Sequence, residues 1–163
     1  MGEIRVRVRL VNAVDEALAR RGQLPADQVH IYKADAMVDT GAIRTVIPVH
    51  VLQQLGLDVR GQRVAEYADG RQEVVDVTEP LVVEILGRDT LDEALVLGDE
   101  VLIGQTVLEK LDLLADCANN RLIPNPAQPV SKVKSIGRRA GHARQFCVDQ
   151  CLSFGSLTYS RTF

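Results

Sequence analysis

Apolar and polar residues alternate strictly at the start of the chain. Ile4, Val6, Val8 and Leu10 occupy every second position, and three arginines fill the positions between them. This period of two predicts a β-strand with one buried face and one solvated arginine face. Later apolar-rich segments predict further strands over residues 29–38, 63–77, 81–86, 91–97 and 101–103.

Three short segments have helical rather than strand features. Residues 15–21 follow an apolar pattern with helical spacing and end in a cationic turn before Gly22. Pro48 precedes a second predicted helix, residues 49–55, because proline is favoured in the first turn of a helix. Residues 105–111 are amphipathic. The chain is therefore expected to form a mostly β domain with short helices.

Two acidic dipeptides are interpreted as turns. Asp69-Gly70 lies between the two β-rich arms of residues 63–77, and an Asp-Gly pair there is a strong signal for a hairpin. Asp89-Thr90 is expected to form a turn between two strands, since Leu91 rather than glycine follows it.

One carboxylate lies in an unusual setting. Asp39 follows the apolar residues 36–38, and a second apolar pair comes a few residues after Gly41. An acid in such surroundings is partly desolvated, which is costly and favours a functional role. The Thr40 hydroxyl can form a close hydrogen bond, and Gly41 permits a turn or a close approach that a Cβ would obstruct.

A second feature lies further along the chain. The apolar residues 101–103 end at Gly104 and lead into an amphipathic helix. Together and in this order, the Asp39-Thr40-Gly41 loop and the strand, glycine and helix resemble the retropepsin-like aspartic proteases. The resemblance covers about residues 4–126 and includes a closing segment, residues 116–126, that is typical of bacterial single-domain members.

The resemblance implies an all-β fold, a closed β-barrel of the acid protease type with one lobe in each chain. It implies that Asp39, Thr40 and Gly41 form the catalytic loop, and that residues 63–77 form a flap over the substrate. An apolar subsite with a cation nearby is expected, which favours acidic or neutral peptide side chains. The implied substrate-contacting residues are Ala42, Ile43, Arg44, Tyr67, Ala68, Asp69, Gly70, Ile103 and Gly104.

The chain contains a single Asp-Thr-Gly and is too short for two similar lobes. A second aspartate is therefore expected from another copy, in a two-fold homodimer that brings the two Asp39 side chains together. Such a pair shares one proton and activates a water against a peptide bond, without a metal, a cofactor or a covalent intermediate. The alternative is a non-catalytic dimerisation or peptide-binding module with the same fold.

Composition separates the chain into two regions. The net charge is −3. Hydrophobic residues make up 46% of the chain and aromatic residues only 4%, which suits a single core of aliphatic side chains. Residues 127–163 hold six basic groups and one acid, so they carry +5 and residues 1–126 carry −8. The prediction is a protease domain, 1–126, and a basic tail, 127–163, that is disordered or loosely attached.

Other partners and locations are disfavoured. The arginines of the first strand lack interleaved aromatic residues and the domain is acidic, so no nucleic-acid partner is expected. No apolar run approaches the about 20 residues of a membrane span, and the first residues do not begin a signal peptide. No membrane association and a cytoplasmic location are therefore expected.

No metal site is assigned to the cysteines and histidines. His142, Cys147 and Cys151 are too few and wrongly spaced for a structural zinc site. The remaining three are interpreted as ordinary positions: Cys117 buried in a core strand, His30 in a strand and His50 in a helix.

Overall fold

A computed structural model describes residues 3–127 of the chain. They form a mostly β domain with three short α-helices, as the sequence predicts. The strands are β1 (Arg5–Asn12), β2 (Ile31–Val38), β3 (Val46–Ile47), β4 (Val59–Glu66), β5 (Gln72–Thr78), β6 (Leu81–Ile85), β7 (Arg88–Asp92), β8 (Leu95–Val96), β9 (Leu102–Ile103), β10 (Leu113–Asp116) and β11 (Arg121–Pro124). The helices are α1 (Ala13–Arg20), α2 (Val49–Gln54) and α3 (Gln105–Leu111), and a 3₁₀ turn spans Ala26–Gln28.

Nine strands form one curled sheet in the order β4-β5-β8-β3-β9-β2-β1-β6-β7, while β10 and β11 form a separate hairpin. The predicted closed barrel is wrong for this part of the chain, because β4 and β7 remain at opposite edges of the sheet. The physical reason is that α3 packs against β7. Lys110 of α3 donates to the carbonyl of Leu91 in β7, so a helix rather than another strand meets the backbone of this edge strand.

The first strand behaves as its alternation predicts. Val6, Val8 and Leu10 are buried, and the intervening arginines lie on the outer face. β1 is an interior strand, since it pairs antiparallel with both β2 and β6. The core beneath it is aliphatic and includes the fully buried Leu10, Ile47, Leu55, Leu81 and Ile103.

Two strand assignments differ from the sequence prediction. Asp89 and Thr90 lie within β7, and the turn before it is formed by Leu86 and Gly87 at φ of 51° and 75°. Two successive positive φ values suit a tight hairpin turn, even though leucine rarely occupies such a position. The predicted strand 91–97 is divided between β7 and β8.

The interpretation of Cys117 as a buried core residue is wrong. Cys117 is exposed, because β10 ends at Asp116 and the chain turns there toward β11. The predicted tail lies outside the described residues except for its first residue, as do His142, Cys147 and Cys151. No helix in residues 3–127 is long and apolar enough to cross a bilayer.

Asn12 joins three elements at the end of β1. Its Oδ1 accepts hydrogen bonds from the backbone N–H groups of Val14 (2.9 Å) and Asp15 (3.2 Å), which caps α1. Its Nδ2 donates to the carbonyls of Leu55 (3.0 Å) and Gly56 (3.2 Å) at the end of α2. The residue is only 4% exposed, so alanine there leaves buried polar groups without partners.

Asn12→Ala is expected to lower the free energy of unfolding by about 2 kcal/mol, because it removes a helix cap and exposes two carbonyls to an unfilled cavity. Urea denaturation measures this loss. Gln53→Ala, on the exposed face of α2, is the control and should unfold within about 0.5 kcal/mol of the unaltered protein. Equal midpoints for the two variants would contradict the joining role of Asn12.

Candidate functional site

Asp39 lies where β2 ends, beside the end of β9. The two strands pair in parallel, with Val38 opposite Ile103. The backbone N–H of Asp39 donates to the carbonyl of Ile103 at 3.0 Å, so the sheet extends to the first residue of the loop. The loop of residues 39–45, here called the aspartate loop, therefore begins at a fixed point of the core.

The carboxylate of Asp39 is oriented by its own turn. Its Oδ1 accepts a hydrogen bond from the N–H of Gly41 at 2.9 Å, and its carbonyl accepts one from Ala42 at 3.2 Å. A Cβ on Gly41 would lie 3.2 Å from Oδ1, so a larger residue would press on the carboxylate. No donor within residues 3–127 binds Oδ2, which leaves this oxygen available to a ligand.

The start of α3 supports the middle of the aspartate loop. The N–H of Gln105 donates to the carbonyl of Ala42 at 2.8 Å, and the N–H of Thr106 donates to that of Ile43 at 3.1 Å. The Thr106 hydroxyl also donates to Ile43 at 2.7 Å. The first N–H groups of α3, which have no partner within the helix, therefore bind two loop carbonyls that would otherwise lack a donor.

Gly104 permits this close contact between helix and loop. A Cβ at this position would lie 2.5 Å from the carbonyl oxygen of Arg44 and 2.9 Å from that of Ala42. Both atoms are backbone, so neither can rotate away. The glycine of the predicted strand, glycine and helix pattern is therefore required by the approach of the aspartate loop.

The far end of the aspartate loop is held by a polar cluster that sequence reasoning missed, in which Thr45 and Asp92 are buried and Lys110 is 42% exposed. Thr45 is fully buried and its hydroxyl donates to Asp92 Oδ2 at 2.8 Å. Lys110 Nζ donates to Asp92 Oδ1 at 3.2 Å and to the carbonyl of Leu91 at 2.8 Å. No local motif marks these residues, because the cluster joins positions that are far apart in the chain.

The outer side of the loop is exposed. Thr40 is exposed next to the carboxylate, and the Ile43 side chain is 75% exposed. Arg44 lies 3.8 Å from a carboxylate oxygen of Glu93, which also pairs with Arg60 of β4 at 3.2 Å. A pocket of about 410 Å³ adjoins this side of the loop; its lining is Ile43, Arg44, Pro80, Leu91, Asp92, Glu93, Thr106 and Lys110.

The hairpin predicted around Asp69-Gly70 is confirmed. β4 and β5 pair antiparallel up to Glu66 and Gln72, and Gly70 has a φ of 82° at the tip. The Arg71 guanidinium lies 5.0 Å from the centre of the Tyr67 ring and donates to Asp69 at 2.6 Å.

Electrostatics at the tip follow from these contacts. The hydrogen bond from the Tyr67 hydroxyl to Glu73, 2.7 Å long, raises the pKa of Tyr67. Hydrogen bonds from the Arg71 side chain and backbone lower the pKa of Asp69. The tip therefore stabilises its own conformation.

The predicted site residues fall into three places. Asp39, Thr40, Gly41, Ala42, Ile43 and Arg44 form the aspartate loop. Ile103 and Gly104 are buried beneath it, and Tyr67, Ala68, Asp69 and Gly70 form the hairpin tip. Within residues 3–127, no hydrogen bond joins the tip to the aspartate loop. The same part of the chain has no group of three or more histidine, cysteine or acidic side chains arranged to hold a metal ion.

Comparison with known proteins gives one result. A family model described as "gag-polyprotein putative aspartyl protease" matches residues 12–110, which is more than half of the chain. The matched range contains the aspartate loop, the hairpin and α3 as far as Lys110. No curated protein matches the chain.

Proposed function

Since the chain belongs to the gag-polyprotein aspartyl protease family of retropepsin type, we propose that it is an aspartic endopeptidase that is active as a homodimer. The observation that carries the proposal is the setting of Asp39. Its carboxylate is oriented through Oδ1 by the Gly41 N–H, while Oδ2 faces no donor in the described part of the chain. A carboxylate that is oriented yet available suits proton transfer.

The proposed dimer supplies the second carboxylate. Only one Asp-Thr-Gly occurs in the chain, so a two-fold axis beside the aspartate loop would bring two Asp39 side chains together. Two carboxylates a few ångströms apart do not both ionise, so the pair holds one proton. One member is then a base and the other an acid.

The chemistry proceeds through water. The ionised Asp39 removes a proton from a bound water, and the resulting hydroxide attacks the peptide carbonyl carbon. The protonated Asp39 of the other copy donates a hydrogen bond to the carbonyl oxygen as negative charge develops there. The Asp39 that took the proton from water then passes it to the peptide nitrogen, the C–N bond breaks and the amine leaves, so the pair again holds one proton.

Residues exposed around Asp39 are proposed to form the rest of the site. The exposed Thr40 is adjacent to Asp39, where its hydroxyl can bond to the other copy across the two-fold axis. Residues 63–77 of the β4–β5 hairpin are proposed to close over the peptide as a flap and exclude water. Ile43 and Arg44 are proposed to form an apolar subsite with a cation, which favours acidic or neutral peptide side chains.

Activity is expected to depend on protein concentration more steeply than in a monomeric enzyme. Below the dimer dissociation constant, an about tenfold dilution should lower the hydrolysis rate about a hundredfold, because the active species forms from two chains. A concentration series with a fluorogenic peptide library at mildly acidic pH, paired with sedimentation at the same concentrations, measures both quantities. Activity proportional to concentration in a sedimenting monomer would contradict the dimeric site. A folded dimer that cleaves no peptide would favour the non-catalytic binding module.

A further inference from the structure

Asp92 is a buried carboxylate that the proposed peptide hydrolysis does not use directly. Its side chain is 4% exposed, and both oxygens are occupied, Oδ2 by the Thr45 hydroxyl and Oδ1 by the Lys110 ammonium. Burial of a charged group is costly, and only a partner with good geometry offsets that cost. An apolar residue would fill the position more cheaply, so the carboxylate needs a separate explanation.

The two hydrogen-bond partners of Asp92, Thr45 and Lys110, belong to different elements of the site. Thr45 is the last residue of the aspartate loop, and its carbonyl also accepts a hydrogen bond from Leu95 of β8 at 2.9 Å. Lys110 lies in the last turn of α3, the helix whose first N–H groups support Ala42 and Ile43. Asp92 therefore connects the far end of the loop to the far end of the helix that holds its middle.

From this geometry we propose that Asp92 is a positioning residue, which fixes the aspartate loop against α3 through Thr45 and Lys110. The inference rests on the proposed function, since positioning matters only if Asp39 performs the chemistry. With the loop fixed at Ile103, at the start of α3 and at Asp92, the Asp39 carboxylate is held without contact from Asp92 itself. Displacement of a reacting group by about 1 Å costs on the order of a hundredfold in rate.

The test replaces Thr45, because removal of the buried Asp92 risks loss of the fold. Thr45→Val removes the hydroxyl at nearly constant volume, whereas Thr45→Ser keeps it. In the full-length dimer, Thr45→Val should lower kcat about tenfold with KM changed less than about twofold, and Thr45→Ser should recover most of the loss. Thr90→Val, on the half-buried side of β7, is the control for the same substitution. Within residues 3–127 the Thr90 hydroxyl donates only to the carbonyl of Leu91, at 3.5 Å, and to none of the Thr45, Asp92 and Lys110 side chains.

A second readout needs no substrate. Hydrogen exchange of the Gln105 and Thr106 N–H groups, which bind the loop, should be about tenfold faster in Thr45→Val, with exchange in β1 and β6 unchanged. Uniformly faster exchange, or equal loss of kcat in Thr45→Ser, would overturn the positioning role. Unchanged exchange and kcat in Thr45→Val would overturn it as well. If the unaltered protein cleaves no peptide, the proposed function fails. The hydrogen-exchange measurement still tests whether Asp92 connects the aspartate loop to α3.

Discussion

Asp39→Asn is expected to reduce peptide hydrolysis by about a thousandfold or more while the fold and the proposed dimer remain. The asparagine oxygen can still accept the hydrogen bond from the Gly41 N–H, so the turn of the loop is preserved. What is lost is the group that accepts a proton from water in the proposed mechanism. The variant should therefore bind peptides with little change in affinity and fail in the chemical step, which steady-state kinetics and a direct binding titration separate.

Asp89→Asn is the matched control. It alters the second Asp-Thr of the chain, which lies in β7 with its aspartate exposed, and it should leave the rate unchanged. Both proteins should sediment as the unaltered protein does. Full activity in Asp39→Asn, or a comparable loss in Asp89→Asn, would remove the aspartate loop from the catalytic site.

Gly104→Ala is expected to destabilise the domain by about 3 kcal/mol and to abolish activity. The added Cβ would lie 2.5 Å from the Arg44 carbonyl oxygen and 2.6 Å from its carbon. Since backbone atoms cannot rotate out of the way, either the aspartate loop or the start of α3 must move. Both responses displace the loop that carries Asp39.

Gly61→Ala tests whether the effect comes from crowding or from loss of glycine itself. Nothing lies within 4 Å of a Cβ at Gly61, so this variant should retain stability and activity. Thermal unfolding and hydrolysis, measured for both variants, give the comparison. A Gly104→Ala protein as stable and active as Gly61→Ala would show that the loop and α3 are not in tight contact.

Elements with a local signal are predicted well from the sequence. The alternation of β1, the proline before α2 and the Asp-Gly of the hairpin each act within a few residues, so the chain itself specifies them. The glycine after β9 is also visible in the sequence. The structure shows why glycine is required there: a Cβ at Gly104 would collide with the backbone of the aspartate loop.

Features that depend on distant contacts are not predicted. Asp92 and Thr45 are 47 residues apart, and nothing near either residue indicates that they meet. The sheet stays open and α3 packs against its edge strand β7, an outcome that a pattern of strands does not reveal. Leu86 is forced into a positive φ by the tight connection of β6 and β7, against its own preference.

The hairpin tip has a consequence for protein engineering. The side chains of Tyr67, Asp69, Arg71 and Glu73 satisfy one another, and the β4–β5 pairing continues to the base of the tip. A foreign turn can therefore be grafted between Glu66 and Gln72: it removes the hydrogen bond from Tyr67 to Glu73 but, among the described residues, breaks no hydrogen bond to the aspartate loop. If the hairpin is the proposed flap, libraries confined to the five positions 67–71 would alter its contacts with peptide while the core of the domain stays unaltered.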